Sequence, residues 1–176
     1  ELVNLEGGEL FEGYWNNPAA AGERVRGRSY WSGDLAYRDE AGFFYFAGRS
    51  SEWLRVDGEN LSAIQIEQVL VRHPLVSAAA VYGVPDPLVG DRVMAALQPV
   101  PGASLDMAQF EAFLDAQPDF GNKWKPSFVR IVAQLPLTAT NKVLKRELKR
   151  QAWDCGDPVW FCDTRDRGYR LLGAAE

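Results

Sequence analysis

The sequence predicts an α+β fold: a small mixed sheet with helices packed on it, preceded by a β-rich leader. Three observations carry this. Residues 76–86 and 91–100 are short, continuous apolar runs bounded by Gly and Pro, the pattern of buried strands. Ile66, Val69, Leu70 and His73 recur at i, i+3, i+4 and i+7, one face of a helix, and Met107, Phe110, Phe113 and Leu114 outline a second. From residue 51 onward the runs follow in the order β, α, β, β, α, β, loop, α, which closes as a compact unit with helices on a sheet.

The leader comes first. "ELFEGYW" reads as a short strand, and "NNP" opens a helix with Pro18 at its first position. "SYWSGDLAYRDEAGFFYFAGR" reads as two strands about a turn at 39–42. Composition changes near 48–51, which sets a boundary between a leader at 1–50 and a unit at 51–152, with an extension at 153–176. In the second unit Trp53–Val56 is a strand and Asp57-Gly58 a tight turn. Ser62 with Gln65 forms a capping box for the helix that Pro74 ends. "PSFVRIV" is a strand and "PLTATN" a loop. "KVLKRELKRQAW" is a third helix, with Leu144 and Leu148 inward and Lys145, Arg146, Lys149 and Arg150 outward.

Composition narrows the function. A net charge of −5 and a pI near 5.0 offer no global basic field for nucleic acid. No apolar run reaches the ~18 residues of a membrane span. One His argues against a His-based zinc site or a Ser-His-Asp triad. Cys155 and Cys162 lack metal-ligand spacing and read as reduced cytoplasmic thiols. The opening "ELVNLEGGEL" has no signal-peptide pattern and no initiator Met, so the chain reads as a piece of something longer.

Several residues invite a functional role beside a plain one. Asp34 and Arg49 bracket the strand pair of the leader. Asp34 fits a turn, or a carboxylate that accepts hydrogen bonds from a vicinal diol. Arg49 fits a surface position, or a planar fork for a phosphate or ribose oxygen. Lys142 stands where the third helix is expected to start, a place where a cation opposes the helix dipole. It would instead serve as a point charge for oxygens that gain negative charge in a transition state. Trp53 and Trp124 read as packing residues.

Taken in order, "GYWNNPAAAGERV", "YWSGDLAYRDEAGFFYFAGR", "WLRVDGENLSAIQIEQVLVRHPLVSAAAVYGVPDPLVGDRVMAAL" and "LPLTATNKVLKREL" resemble the final third of the adenylate-forming superfamily. That superfamily holds acyl-CoA synthetases, peptide-synthetase adenylation domains and luciferases. "LRVDGENLSA" and "DPVWFCDTRDRGYRLL" are most similar to the very-long-chain fatty acyl-CoA synthetase and fatty acid transport protein branch. The resemblance implies a β-rich tail of the large nucleotide-binding domain followed by a C-terminal lid domain. It implies that Asp34 holds the ATP ribose hydroxyls, that Arg49 contacts the nucleotide, and that Ser51 is the hinge, where most members carry Asp or Lys. Arg55 takes the place of a Lys used in the thioester half-reaction, and Gly58 approaches coenzyme A. Lys142 matches the adenylation Lys, with Asn141 in place of the usual Gly.

The implied reaction joins a fatty acid to coenzyme A through an acyl-adenylate, with ATP consumed. Mg2+ is expected to be held mainly by the upstream domain. The family's phosphate loop and acyl pocket match nothing here, so this chain alone is expected to form no acyl-adenylate. Without its parent domain's contacts, the leader is expected to be partly disordered, swapped between chains or packed non-natively. Two alternatives stand beside the ligase: an acyl-AMP ligase or adenylation enzyme that loads a carrier protein, and a degenerate, non-catalytic lid acting as a binding module. The resemblance also leaves room for peripheral membrane association of a cytoplasmic parent.

Overall fold

A computed structural model describes residues 1–88, 90–163 and 168–173. The chain divides into two compact units, Glu1–Glu52 and Trp53–Glu176. In the first, β1 (Val3–Asn4) and β2 (Val25–Arg26) flank β3 (Ser29–Trp31) in a three-stranded antiparallel sheet. Helix α1 (Pro18–Arg24) starts as the sequence suggests: Pro18 supplies a preset φ, and Asn17 caps the helix by accepting the Ala20 N–H. β4 (Asp34–Arg38) and β5 (Phe44–Arg49) form a separate antiparallel hairpin. Its Tyr37, Phe43, Phe44, Tyr45 and Phe46 are all exposed.

Two leader expectations need correction. "ELFEGYW", residues 9–15, is not a strand: Glu9 ends a turn of 3-10 helix, Gly7–Glu9, and residues 10–15 are irregular. Just before it, the Gly8 N–H donates to the Arg28 carbonyl at 2.9 Å. A Cβ on Gly8 would lie 2.8 Å from that carbonyl oxygen, so the close backbone approach requires glycine. The run from Ser29 onward is also broken earlier than expected. Gly33, at φ 78°, separates β3 from β4.

The second unit holds a seven-stranded mixed sheet. Its strands are β6 (Trp53–Val56), β7 (Glu59–Ser62), β8 (Val76–Asp86), β9 (Gly90–Pro99), β10 (Phe128–Ile131), β11 (Val159–Phe161) and β12 (Arg170–Leu171). They run in the order β12-β11-β10-β9-β6-β7, and β8 pairs along β9 as a long antiparallel ladder. Among the described residues only β9 and β10 pair in parallel, so the sheet is mixed, as expected. Helices α2 (Ala63–Leu70) and α3 (Met107–Asp115) precede α4 (Lys145–Gln151).

The central strands show why their apolar runs are continuous: both faces are covered. Val81, Val93, Ala95, Leu97 and Val129 pack with Ile66, Leu70, Phe110 and Leu114 of α2 and α3. Their sequence neighbours Ala80, Tyr82, Met94, Ala96 and Phe128 point the other way and pack with Leu148 of α4. The alternation assigns α2 and α3 to one face and α4 to the other. Ile66, Val69 and Leu70 are buried and form the core face of α2, as the periodicity predicts; the helix ends at Leu70, short of Pro74, and His73 is buried in the turn that follows.

Three expectations in this unit are revised. Ser62 is the N-cap of α2, but its side chain makes no capping bond, so no capping box forms. Helix α4 starts at Lys145 rather than Lys142. The segment after residue 153, expected as an extension, supplies β11 and β12 to the sheet edge. Tyr169 anchors it by donating its hydroxyl to the Pro126 carbonyl at 2.7 Å.

His73 gives the unit a defined acid sensitivity. Its ring stacks edge-on against Phe110 and Phe113, and its Nδ1 accepts the Leu75 N–H at 3.2 Å. Burial pushes its pKa below the ordinary 6.5. The unfolded chain therefore binds the proton first, and His73 contributes stability that is present above 6.5 and lost as pH falls below it. Thermal melts across this range should show a falling Tm on acidification. That slope should shrink in His73→Phe, and equal slopes in the two proteins would refute the assignment.

Candidate functional site

Asp34 and Arg49 face each other directly. They are the first cross-strand pair of the β4–β5 hairpin, so residues fifteen positions apart in sequence sit opposite by register. Arg49 Nε lies 3.1 Å from Asp34 Oδ1, an ion pair that is off-line for a hydrogen bond. That buried Oδ1 accepts no hydrogen bond among the described residues. A hydroxyl donor is the chemistry such an oxygen lacks. Gly33 sets the entry to the pair. A Cβ there would lie 2.0 Å from Arg24 Nη1, and its φ of 78° disfavours any L side chain.

The β6–β7 hairpin carries Arg55 and Gly58. Asp57 and Gly58 form its two-residue turn, both with positive φ (47° and 78°), the geometry that matches strand twist. Arg55 is exposed, and its backbone N–H donates to Asp91 Oδ2 at 3.1 Å. Sequence reasoning missed a cation at this turn: Lys123 Nζ reaches Glu59 Oε1 at 2.7 Å and the Asp57 carbonyl at 3.4 Å. No local pattern signals a contact across 64 residues. Ser51 lies in a turn of 3-10 helix, Ser50–Glu52, which ends the first unit.

Lys142 sits on a loop that folds back on itself. Leu137 and Val143 form an isolated antiparallel bridge, and Leu144 N–H donates to the Pro136 carbonyl at 2.8 Å. Thr138 holds the Lys142 backbone from both sides. Its N–H donates to the Lys142 carbonyl at 2.8 Å, and its Oγ1 accepts the Lys142 N–H at 3.0 Å. Asn141 takes φ 59°, the left-handed region that Asn tolerates better than most residues. The Lys142 side chain is exposed, with no carboxylate paired to it among the described residues. It does not begin a helix, so the dipole objection raised by the sequence disappears. Thr138, overlooked in the sequence, has a legible signal: a hydroxyl residue placed four before Lys142 can form a side-chain-to-backbone turn.

Lys145, expected in a solvated basic face, is instead half-buried and pairs with Glu67 at 2.8 Å. Arg146, Lys149 and Arg150 are exposed. Beside α4 a cleft of about 360 Å3 is lined by Arg130, Glu147, Gln151 and Asp157, where the Arg130 guanidinium is held by Asp157 and Gln151. Neither Cys155 nor Cys162 is in a disulfide. Among the described residues, no group of three His, Cys, Asp or Glu could hold a metal ion, and no helix is long and apolar enough to cross a membrane.

The mixed sheet with helices on both faces matches the C-terminal domain of adenylate-forming enzymes. Residues 65–142 match the family model described as AMP-binding enzyme C-terminal domain. Among particular relatives, it is 57% identical over 160 residues to the medium/long-chain-fatty-acid–CoA ligase FadD17 of Mycobacterium marinum, covering 91% of this chain and 32% of that protein. It is 52% identical to the steroid-22-oyl-CoA synthetase of Rhodococcus jostii, covering 91% of this chain and 29% of that one. The solved structure of ATP-bound MatB from Rhodopseudomonas palustris superposes with a TM-score of 0.70 at 31% identity, over 82% of this chain and 28% of that one. The chain thus spans about a third of the length of the curated relatives it matches.

Proposed function

We propose that this chain is the C-terminal part of an ATP-dependent acid–thiol ligase that makes acyl-CoA from a fatty acid. The observation that carries the reading is Lys142, clamped by Thr138 on both sides of its backbone while its ammonium group stays exposed and unpaired. Such an arrangement fixes where the charge is delivered without neutralising it.

In the first half-reaction the substrate carboxylate attacks the α-phosphorus of ATP, the bond to pyrophosphate breaks, and acyl-adenylate forms. Lys142 stabilises the phosphate oxygens as they gain charge. Asp34 accepts the ribose hydroxyls at its donor-free Oδ1, and Arg49 adds a cation at the nucleotide. In the second half-reaction the coenzyme A thiol loses its proton, forms the thioester C–S bond and displaces AMP. The Arg55–Gly58 hairpin serves this step, and Ser51 is the pivot between the two. The leader at 1–50 belongs to the nucleotide-binding domain. The exposed aromatic rings of its β4–β5 hairpin are what a larger domain would cover.

The names of two relatives point to medium- or long-chain fatty acids and to a steroid carboxylate, so the substrate class is a carboxylate on a large apolar body. The test uses the full-length protein with Mg-ATP, fatty acids of graded length and a steroid side-chain acid, with and without coenzyme A, read by mass spectrometry. Acyl-CoA formed only with coenzyme A supports the ligase. Acyl-AMP that accumulates and ignores coenzyme A points to a carrier-protein acceptor. No adenylate from any acid favours a non-catalytic lid.

A further inference from the structure

We propose that Glu67 and Lys145 are a positioning pair that sets the Lys142 loop for adenylation, a role that rests on the assignment of Lys142 made above. The pair is built at the edge of the sheet. β8 pairs with β9 alone, so part of its backbone faces outward. Glu67, on α2, meets that edge: its Oε1 accepts the Val81 N–H at 2.6 Å. The same oxygen lies 2.8 Å from Lys145 Nζ. α2 packs on one face of the sheet and α4 on the other. One carboxylate therefore ties the edge strand to the helices of both layers.

Lys145 is the first residue of α4, where a cation is disfavoured by the helix dipole. Glu67 offsets that cost. The side chains of the pair are only 23% and 19% exposed, so salt screens them less than a surface pair. Between Lys145 and Lys142 there is no slack. Leu144 is bonded to Pro136, Val143 bridges Leu137, and Lys142 is held by Thr138. A displacement of Lys145 is passed along three anchored residues to the catalytic ammonium.

The experiment measures two half-reactions in the full-length protein: ATP–pyrophosphate exchange for adenylation, and thioester formation from supplied acyl-adenylate. Glu67→Gln keeps an acceptor for the Val81 N–H and removes the ion pair; Lys145→Met removes the charge from the other side. Both should lower exchange by about 10- to 100-fold, the scale of a small misplacement of a reacting group. Both should leave thioester formation unchanged at a temperature where each variant is folded, even if the melting temperature falls, while Lys145→Arg keeps exchange near normal. Normal exchange in Glu67→Gln and Lys145→Met, with exchange lost in Lys142→Ala, would overturn the positioning role and leave Lys142 standing. Loss of both half-reactions together with a lower melting temperature would make the pair a plain structural contact. Normal exchange in Lys142→Ala would remove the premise itself.

Discussion

Lys142→Ala in the full-length protein should lower the rate of acyl-adenylate formation by on the order of 10²- to 10³-fold, the usual effect of deleting one preorganised charge-stabilising group. The same variant should make thioester normally from supplied acyl-adenylate, because in the proposed mechanism the Arg55–Gly58 hairpin, brought in by the pivot at Ser51, serves coenzyme A attack in place of Lys142. The exposed side chain touches no core residue, so stability should not change. Rapid-quench measurement of each half-reaction separates the outcomes. Equal losses in both would mean that Lys142 acts on the fold or on nucleotide binding in general; no loss would remove its catalytic role.

The largest expected stability effect lies in a cluster that the sequence did not reveal. Arg130, buried in β10, donates Nε to Asp157 Oδ2 at 2.8 Å and Nη1 to Gln151 Oε1 at 2.8 Å. Its Nη2 lies 2.6 Å from Asp157 Oδ2. Asp157 leads into β11 and Gln151 ends α4, so one guanidinium joins the last helix to the tail strands. Asp157→Ala leaves a buried cation without its carboxylate, which should cost about 3 kcal/mol. Arg130→Met should cost less. The thioether stem fills most of the buried space, and the Asp157 side chain, already 34% exposed, can hydrate. Urea denaturation of both variants tests the asymmetry. Equal losses would show that the pair acts by packing and not by charge compensation.

The fold was legible where a local pattern had one physical solution. β8 and β9 declared themselves because strands covered on both faces need no polar side, and α2 because its apolar residues fall at helical spacing. Asp57-Gly58 was legible because a two-residue hairpin demands positive φ twice. "ELFEGYW" misled because its apolar content mimicked a strand, while no neighbouring strand pairs with it among the described residues and the preceding Gly8 is held against the Arg28 backbone. The start of α4 was misplaced by three residues because Val143 has a bridge partner in Leu137 that the helix-like charge pattern conceals.

The sequence by itself determined the α+β class and the core faces, which follow from local periodicity and turn chemistry. The candidate site residues Asp34, Arg49, Ser51, Arg55, Gly58 and Lys142 were singled out by the order of the motifs, through the resemblance to the adenylate-forming superfamily. Only the tertiary structure decided which of them meet and what holds them. The Asp34–Arg49 pair comes from strand register, and the Lys123 contact at the Asp57 turn from residues far apart in sequence. The conversion of Lys145 from surface cation to partner of Glu67 comes from two helices on opposite faces of one sheet. A carboxylate 78 positions away has no local signature, because its geometry exists only once the sheet between the helices has formed.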